Sequence, residues 1–350
     1  MLLSGVETVI FQELNNDQRR ETVNTRQRYA AFRDAELRAA SYRGSMVWNE
    51  VKGTAYLVRS AYDKAGIRRQ TSIGPRSAET EKAKREYDDG RAEADARLKD
   101  IKTVLVRQAA INRAVSLGRV PLLGARIVRA IDAAGLLGAG IRVLGTNAIY
   151  AYEAAAGVQV GPELTTTEDI DLLFDSRAKL SFVASEDVTE RSLLNLLRKV
   201  DRSFEKSNRT FRAVNRDGYL VDLIKPMRSP PWKEDREKVG DSPTDLTAAE
   251  IRGLTWHESA PAFEAIAIDE RGDPLRIVAT DPRVWAAHKL WLSKQPDRDA
   301  VKSQRDAEQA RTVAALVARF MPHLPFDSIH LRMLPKDVFD EAVSLFEADP

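Results

Sequence analysis

Three patterns of apolar and polar positions follow one another along the chain. In residues 1 to about 45, Tyr29, Phe32, Leu37 and Tyr42 are spread through a stretch rich in Arg, Glu and Gln, the pattern of long amphipathic helices. Over residues 45–73 the period shortens to β-like runs, Met46-Val47-Trp48, then 53–59, then 67–73, which predict a small sheet. Gly74-Pro75 ends it. Ser77 then caps a long helix predicted to reach about Ser116, with Glu79 and Glu81 suiting the dipole of its first turn. Thr80 stands where a capping box has Glu or Gln, so no full box is expected. The first half of this helix, residues 79–100, is mostly charge and alanine, as in a spacer or coiled-coil arm, and closes an N-terminal module of residues 1–118.

Residues 119–280 mix both periods. Pro121 opens a helix through Ala134, and Ile141, Val143 and Leu144 form an apolar run ending in Gly145-Thr146-Asn147. An alanine-rich segment, 148–156, follows with Gly157 placed to stop it, giving strand, tight turn, helix. After a Gly/Pro/Thr-rich connection comes the strand Asp169-Ile170-Asp171-Leu172-Leu173-Phe174, whose alternation sends Asp169 and Asp171 to one face and Ile170, Leu172 and Phe174 to the other. Residues 188–200 read as a helix burying Leu193, Leu194, Leu196 and Leu197. Residues 211–215 and 219–225 alternate on either side of Arg216-Asp217-Gly218, a hairpin whose second arm carries Asp222 on the face of Leu220 and Ile224. A polar, proline-bearing loop, 229–243, is placed to gate a site, and 263–268 and 275–279 form a second hairpin around Asp269-Glu270-Arg271-Gly272. Asp281-Pro282 starts a helical C-terminal region, 281–350, with helices over 283–293 and 298–321. Gly138-Ala139-Gly140 precedes its strand and has Val143 at the third glycine position, so it is no dinucleotide loop. The fold class expected is α+β: a mixed sheet flanked by helices, between a helical N-terminal module with a small sheet and a helical C-terminal region.

Two carboxylates side by side repel each other unless a cation stands between them. Mg²⁺ takes oxygen ligands and is held by one or two carboxylates plus substrate phosphates. If the Asp222 hairpin lies beside the Asp169/Asp171 strand, a third carboxylate joins them. The plainer reading is a surface strand carrying two acids and an ordinary turn glycine; against it stands the desolvation cost of Asp222 facing inward from an apolar strand.

Gly145-Thr146-Asn147 opening a helix, then Asp169-Ile170-Asp171 on a strand, then Asp222 on a later strand resembles the nucleotidyltransferase superfamily related to DNA polymerase β, in particular bacterial members with GTNA…TEDIDLL. The resemblance covers roughly residues 130–320. It implies that Gly145, Thr146 and Asn147 hold the phosphates of an NTP, and that Asp169, Asp171 and Asp222 are catalytic and hold two Mg²⁺ or Mn²⁺ ions for transfer of an NMP group. Thr146 departs from the Gly or Ser usual after the first glycine, and the connection from Gly145 to Asp169 is long, which predicts an intervening hairpin or flap. Lys289 with the downstream Arg305-Asp306 is similar to the abortive-infection and type IV toxin–antitoxin nucleotidyltransferases, which implies Lys289 as a phosphate ligand; Arg305 and Asp306 equally suit an ion pair. His288 reads as a packing residue.

Composition narrows the setting. The 350 residues suffice for two or three domains, and a net charge of +2 leaves any nucleic-acid site to local patches. One such patch is basic and aromatic: Lys52, Arg59, Lys64, Arg68, Arg69 and Arg76 face only Asp63 and are interleaved with Tyr56 and Tyr62, which suits a phosphate backbone or, equally, a solvated small sheet. With no cysteine, disulfides and thiolate metal centres are excluded, and four histidines scattered along the chain do not point to a histidine-built metal centre. No apolar run approaches a membrane span and no basic leader precedes an apolar core, so a soluble cytoplasmic protein is expected, with no membrane partner and the oligomeric state open. The expected acceptor is an RNA or tRNA end or a protein hydroxyl; a non-catalytic nucleotide- or partner-binding regulator on the same fold is the alternative.

Overall fold

A computed structural model describes residues 11–62, 68–177, 192–230, 232, 236–240, 242–327 and 329–347. The N-terminal part runs β1 (Gln12–Glu13), α1 (Asn16–Ser41), β2 (Ser45–Val51), β3 (Thr54–Tyr62), β4 (Arg68–Pro75), α2 (Ala78–Ala114). Then come α3 (Leu122–Ala133), β5 (Ile141–Leu144), α4 (Ile149–Ala156), β6 (Val158–Gln159), the single turn α5 (Pro162–Thr165) and β7 (Asp169–Phe174). They are followed by α6 (Leu193–Val200), β8 (Glu205–Lys206), β9 (Arg212–Val214), β10 (Leu220–Pro226), β11 (Ala249–Ile251) and α7 (Leu254–Ser259). The chain closes with β12 (Ala262–Ile268), β13 (Pro274–Thr280), α8 (Pro282–Ser293), α9 (Ala300–Phe320) and α10 (Lys336–Phe346).

α1 and α2 form an antiparallel arm. Gln18 Nε2 donates to Val115 O at one end, and the Tyr87 hydroxyl donates to Tyr42 O at the other. Thr80, Tyr87, Ala94, Ile101 and Gln108 are buried at every seventh position of α2, the single seam of a coiled coil. The full capping box not expected at its start does form: Ser77 N donates to Thr80 Oγ1 (2.8 Å) and Thr80 N to Ser77 Oγ (3.3 Å), a threonine hydroxyl serving in place of a carboxylate. At the base the seam is polar, with Gln108 Nε2 bonded to Glu21 Oε2 (3.0 Å) and Thr25 Oγ1 to Asn112 Oδ1 (3.0 Å). Asn112 Nδ2 then donates to Gly272 O (2.8 Å), tying the arm to the β12–β13 turn. Gly272 has φ +81°, and a Cβ there would meet Ala109 O at 2.1 Å. Gly272→Ala is therefore expected to cost about 2–3 kcal/mol and to loosen the arm first, seen as faster amide exchange in α2 at an unchanged exchange rate in β7.

β2, β3 and β4 make an antiparallel three-stranded sheet at the far end of the arm. Its arginines are largely spent on the protein itself. Arg59 lies 4.7 Å from the Tyr87 ring centroid and donates to Arg43 O, Arg68 Nε donates to the Ser60 hydroxyl, and Arg76 pairs with Glu81 at 2.6 Å and covers Trp48. Asp63 and Lys64 of the basic stretch lie outside the described residues.

The main sheet is mixed, in the order β12-β13-β5-β7-β10-β9-β8, with β11 along the far end of β10. α3 packs on α6 and β13, α4 on β12 and α9, and α8, α9 and α10 pack together. Gly157, at φ +70°, ends α4 as its position predicts. Between Gly145 and Asp169 the chain forms α4, β6 and α5; β6 pairs with β1, so helix and short strand replace the expected hairpin or flap. α6 is capped twice, by Ser192 and by the fully buried Asp245, whose carboxylate accepts from Leu193 N and Leu194 N at 2.9 Å each. Residues 188–191 of that predicted helix lie outside the described residues. Among the described residues no helix is long and apolar enough to cross a membrane.

Candidate active site

β7 lies between β5 and β10, and this neighbourhood assembles the acids. Asp171 is in register with Leu144 across the antiparallel pairing with β5, and with Asp222 across the parallel pairing with β10. Residues opposite each other on adjacent strands project to the same side, and Asp169 is two positions along, so all three acids share one face. On the other face Ile170, Leu172 and Phe174 have no exposed surface, which fixes the register: a slip by one residue would turn the acids into this apolar face and the apolar side chains out of it.

The turn that follows β5 meets the same spot. Gly145 has φ +59°, and a Cβ on it would stand 2.0 Å from Asp171 Oδ2, so only glycine lets the backbone pass this close to the carboxylate. Three side chains hold the turn: Trp285 Nε1 donates to Gly145 O (3.2 Å), Gln309 Nε2 to Thr146 Oγ1 (3.2 Å), and Asn147 Nδ2 to Asp169 O (2.7 Å). Asn147 is buried and stitches the turn to β7, whereas Thr146 keeps its hydroxyl proton to donate.

The three acids do not form a ready-made cation cage. Among the described residues no three His, Asp or Glu side chains stand in metal-coordinating arrangement. Asp169 accepts from the Thr167 hydroxyl, and Asp222 is gripped by Arg212 through two bonds of 2.6 Å, Nε to Oδ1 and Nη2 to Oδ2. Asp171 has no ion-pair partner among the described residues, and burial first and the Asp169 charge second push its carboxyl up to about 7, against the opposing pull of Lys289. Three carboxylates against one guanidinium leave an oxygen-lined, negatively charged face. That donor set fits a hard divalent cation such as Mg²⁺ or Mn²⁺.

Lys289 is beside the acids but engaged. Its Nζ lies 2.6 Å from Asp306 Oδ1, and Arg298 takes the other oxygen of Asp306 at 2.6 Å. Arg305 donates to Thr166 O instead of pairing with Asp306, so the Arg305-Asp306 ion pair considered from sequence does not form. His288 is buried against Trp256, Trp291 and His257; burial pushes it down to about 3 and keeps it neutral, a packing residue as expected.

Sequence reasoning passed over Arg212, Tyr219 and Gln309. Arg212 was countable: the Asn215 side chain accepts from Asp217 N and Tyr219 N, Gly218 takes φ +85°, and this turn centres the hairpin on Asp217. Five residues either way from Asp217 gives Arg212 opposite Asp222, the observed pair. Tyr219 is raised in pKa by burial, then by Asp169, and nothing in its local pattern announces that neighbour.

A family model described as nucleotidyltransferase matches residues 123–334. No curated protein and no solved structure matches.

Proposed function

Because the chain belongs to the nucleotidyltransferase family, we propose that it moves an NMP group from an NTP to the hydroxyl of an RNA end or a protein, releasing pyrophosphate. The observation that carries this is the register of β7 and β10, which puts Asp171 opposite Asp222 with Asp169 on the same face.

Asp169, Asp171 and Asp222 are the residues that would hold Mg²⁺ or Mn²⁺. When bound, the ions offset charge on the triphosphate and lower the pKa of the acceptor hydroxyl. The Gly145 turn, with no side chain, lets its backbone lie directly against Asp171, and the Thr146 hydroxyl is a donor for phosphate oxygens. Lys289 lends positive charge from behind while Asp306 and Arg298 fix its position. A carboxylate oxygen of Asp222 accepts the acceptor's proton as the new O–P bond forms and the bond to pyrophosphate breaks. The protein's share is mostly positioning and charge neutralisation.

The test offers each α-labelled NTP with Mg²⁺ and total cellular RNA or protein. Label is expected to enter one of these pools and to fall by about 100-fold or more with Asp222→Asn, a melting transition serving as the check that the variant is folded. Transfer from no NTP would sink the reading. A second reading, a non-catalytic nucleotide- or partner-binding regulator or toxin–antitoxin component, draws on the Arg212 grip on Asp222 and predicts nucleotide binding without transfer.

A further inference from the structure

The Asp222 carboxylate is already satisfied before any substrate arrives. Arg212 stands directly opposite it on β9, its guanidinium fork meets both carboxylate oxygens at 2.6 Å, and the acid is 7% exposed. Such a fork is among the stronger polar contacts a protein makes, and it is aimed by backbone register and by packing of the guanidinium 5.6 Å from the Phe211 ring centroid. Among the described residues neither of the other two acids has a guanidinium fork of this kind: Asp169 accepts from the Thr167 hydroxyl, and Lys289, whose charge acts on Asp171, is committed to Asp306.

We propose that Arg212 is a positioning residue that acts as the resident counter-ion of the site, holding Asp222 in reserve and yielding it when a divalent cation enters. The proposal rests on the assignment of Asp169, Asp171 and Asp222 as cation ligands. Both cations need the same lone pairs of Asp222, so they compete. The released guanidinium stays anchored through β9 beside the acids, a planar fork suited to phosphate oxygens.

Mn²⁺ titration of the full chain, followed by calorimetry or by the electron-spin signal of the free ion, reads this without any turnover. Arg212→Gln is expected to bind Mn²⁺ at least about tenfold more tightly than the natural chain, because the competing fork is gone. Arg212→Lys, which keeps the charge but not the fork, is expected to fall between, and circular dichroism reports whether each variant is folded. Equal or weaker Mn²⁺ binding by folded Arg212→Gln, while the natural chain binds normally, would overturn the competition and leave the cation-site reading standing. Absence of Mn²⁺ binding in both would overturn the two together.

Discussion

Asp171→Asn is expected to make the folded chain more stable at pH 8 while reducing transfer about 1000-fold. The two effects have one origin. Burial and the neighbouring Asp169 lift the Asp171 carboxyl to about 7 in the folded chain, from an ordinary 3.8. Between those values the folded chain keeps a proton that the unfolded chain has lost, so stability falls as pH rises from about 4 to 7 and stays low above. The whole shift corresponds to about 4 kcal/mol at pH 8. Solvent touching one edge of the side chain brings the expected gain from the substitution to about 1–2 kcal/mol. Asparagine has the same shape and no charge to desolvate. Thermal melts in chelator at pH 8 and pH 4 provide the check: the variant should gain several degrees at the higher pH and little at the lower. An unchanged or lower melting temperature at pH 8 would show that the carboxylate is better solvated than its surroundings suggest. Added Mg²⁺ should stabilise the natural chain and not the variant, since a ligand that binds only the folded form raises its stability.

The second large effect is expected at Gly145. Alanine there must adopt φ near +59° and place a methyl group 2.0 Å from Asp171 Oδ2. The left-handed conformation costs roughly 1–2 kcal/mol, and relief of the clash requires the turn or β7 to shift, for a total of about 2–4 kcal/mol. The shift moves the backbone that faces the acids, so activity should fall by more than the stability loss explains. A double-mutant cycle isolates the contact: in an Asp171→Ala background the methyl group has room, and Gly145→Ala should then cost only the backbone conformation. Additive losses would mean that the two positions do not meet as described.

These effects separate what the sequence announces from what it withholds. Turn chemistry was local and readable: Gly157 as a helix stop, Asp281-Pro282 as a helix start, Asp217-Gly218 as a hairpin, each confirmed to within a residue or two. Facing was readable too, since alternation alone puts Asp169 and Asp171 opposite Ile170 and Leu172. That β10 pairs with β7 so that Asp222 meets Asp171 was not, because a parallel pairing between distant segments leaves no mark on either. Cation partners were hidden for the same reason. Lys289 finds Asp306 across a helix pair, and Arg59, Arg68 and Arg76 of the distal sheet bond a carbonyl, a hydroxyl and Glu81 from the surface, so a charge count along residues 51–76 misses that several of these charges already have partners.

The Asn215–Tyr219 turn acts as a spacer with parity. Its length decides which side chain of the edgeward strand β9 confronts Asp222, while β10 itself is pinned by Val221 and Leu223 in the core. One residue more or fewer, unless absorbed by a bulge, would slide Phe211 or Ala213 into Arg212's place and turn the guanidinium to the opposite face. Whether the acid is shackled or at liberty thus hangs on arithmetic in a segment that never touches it.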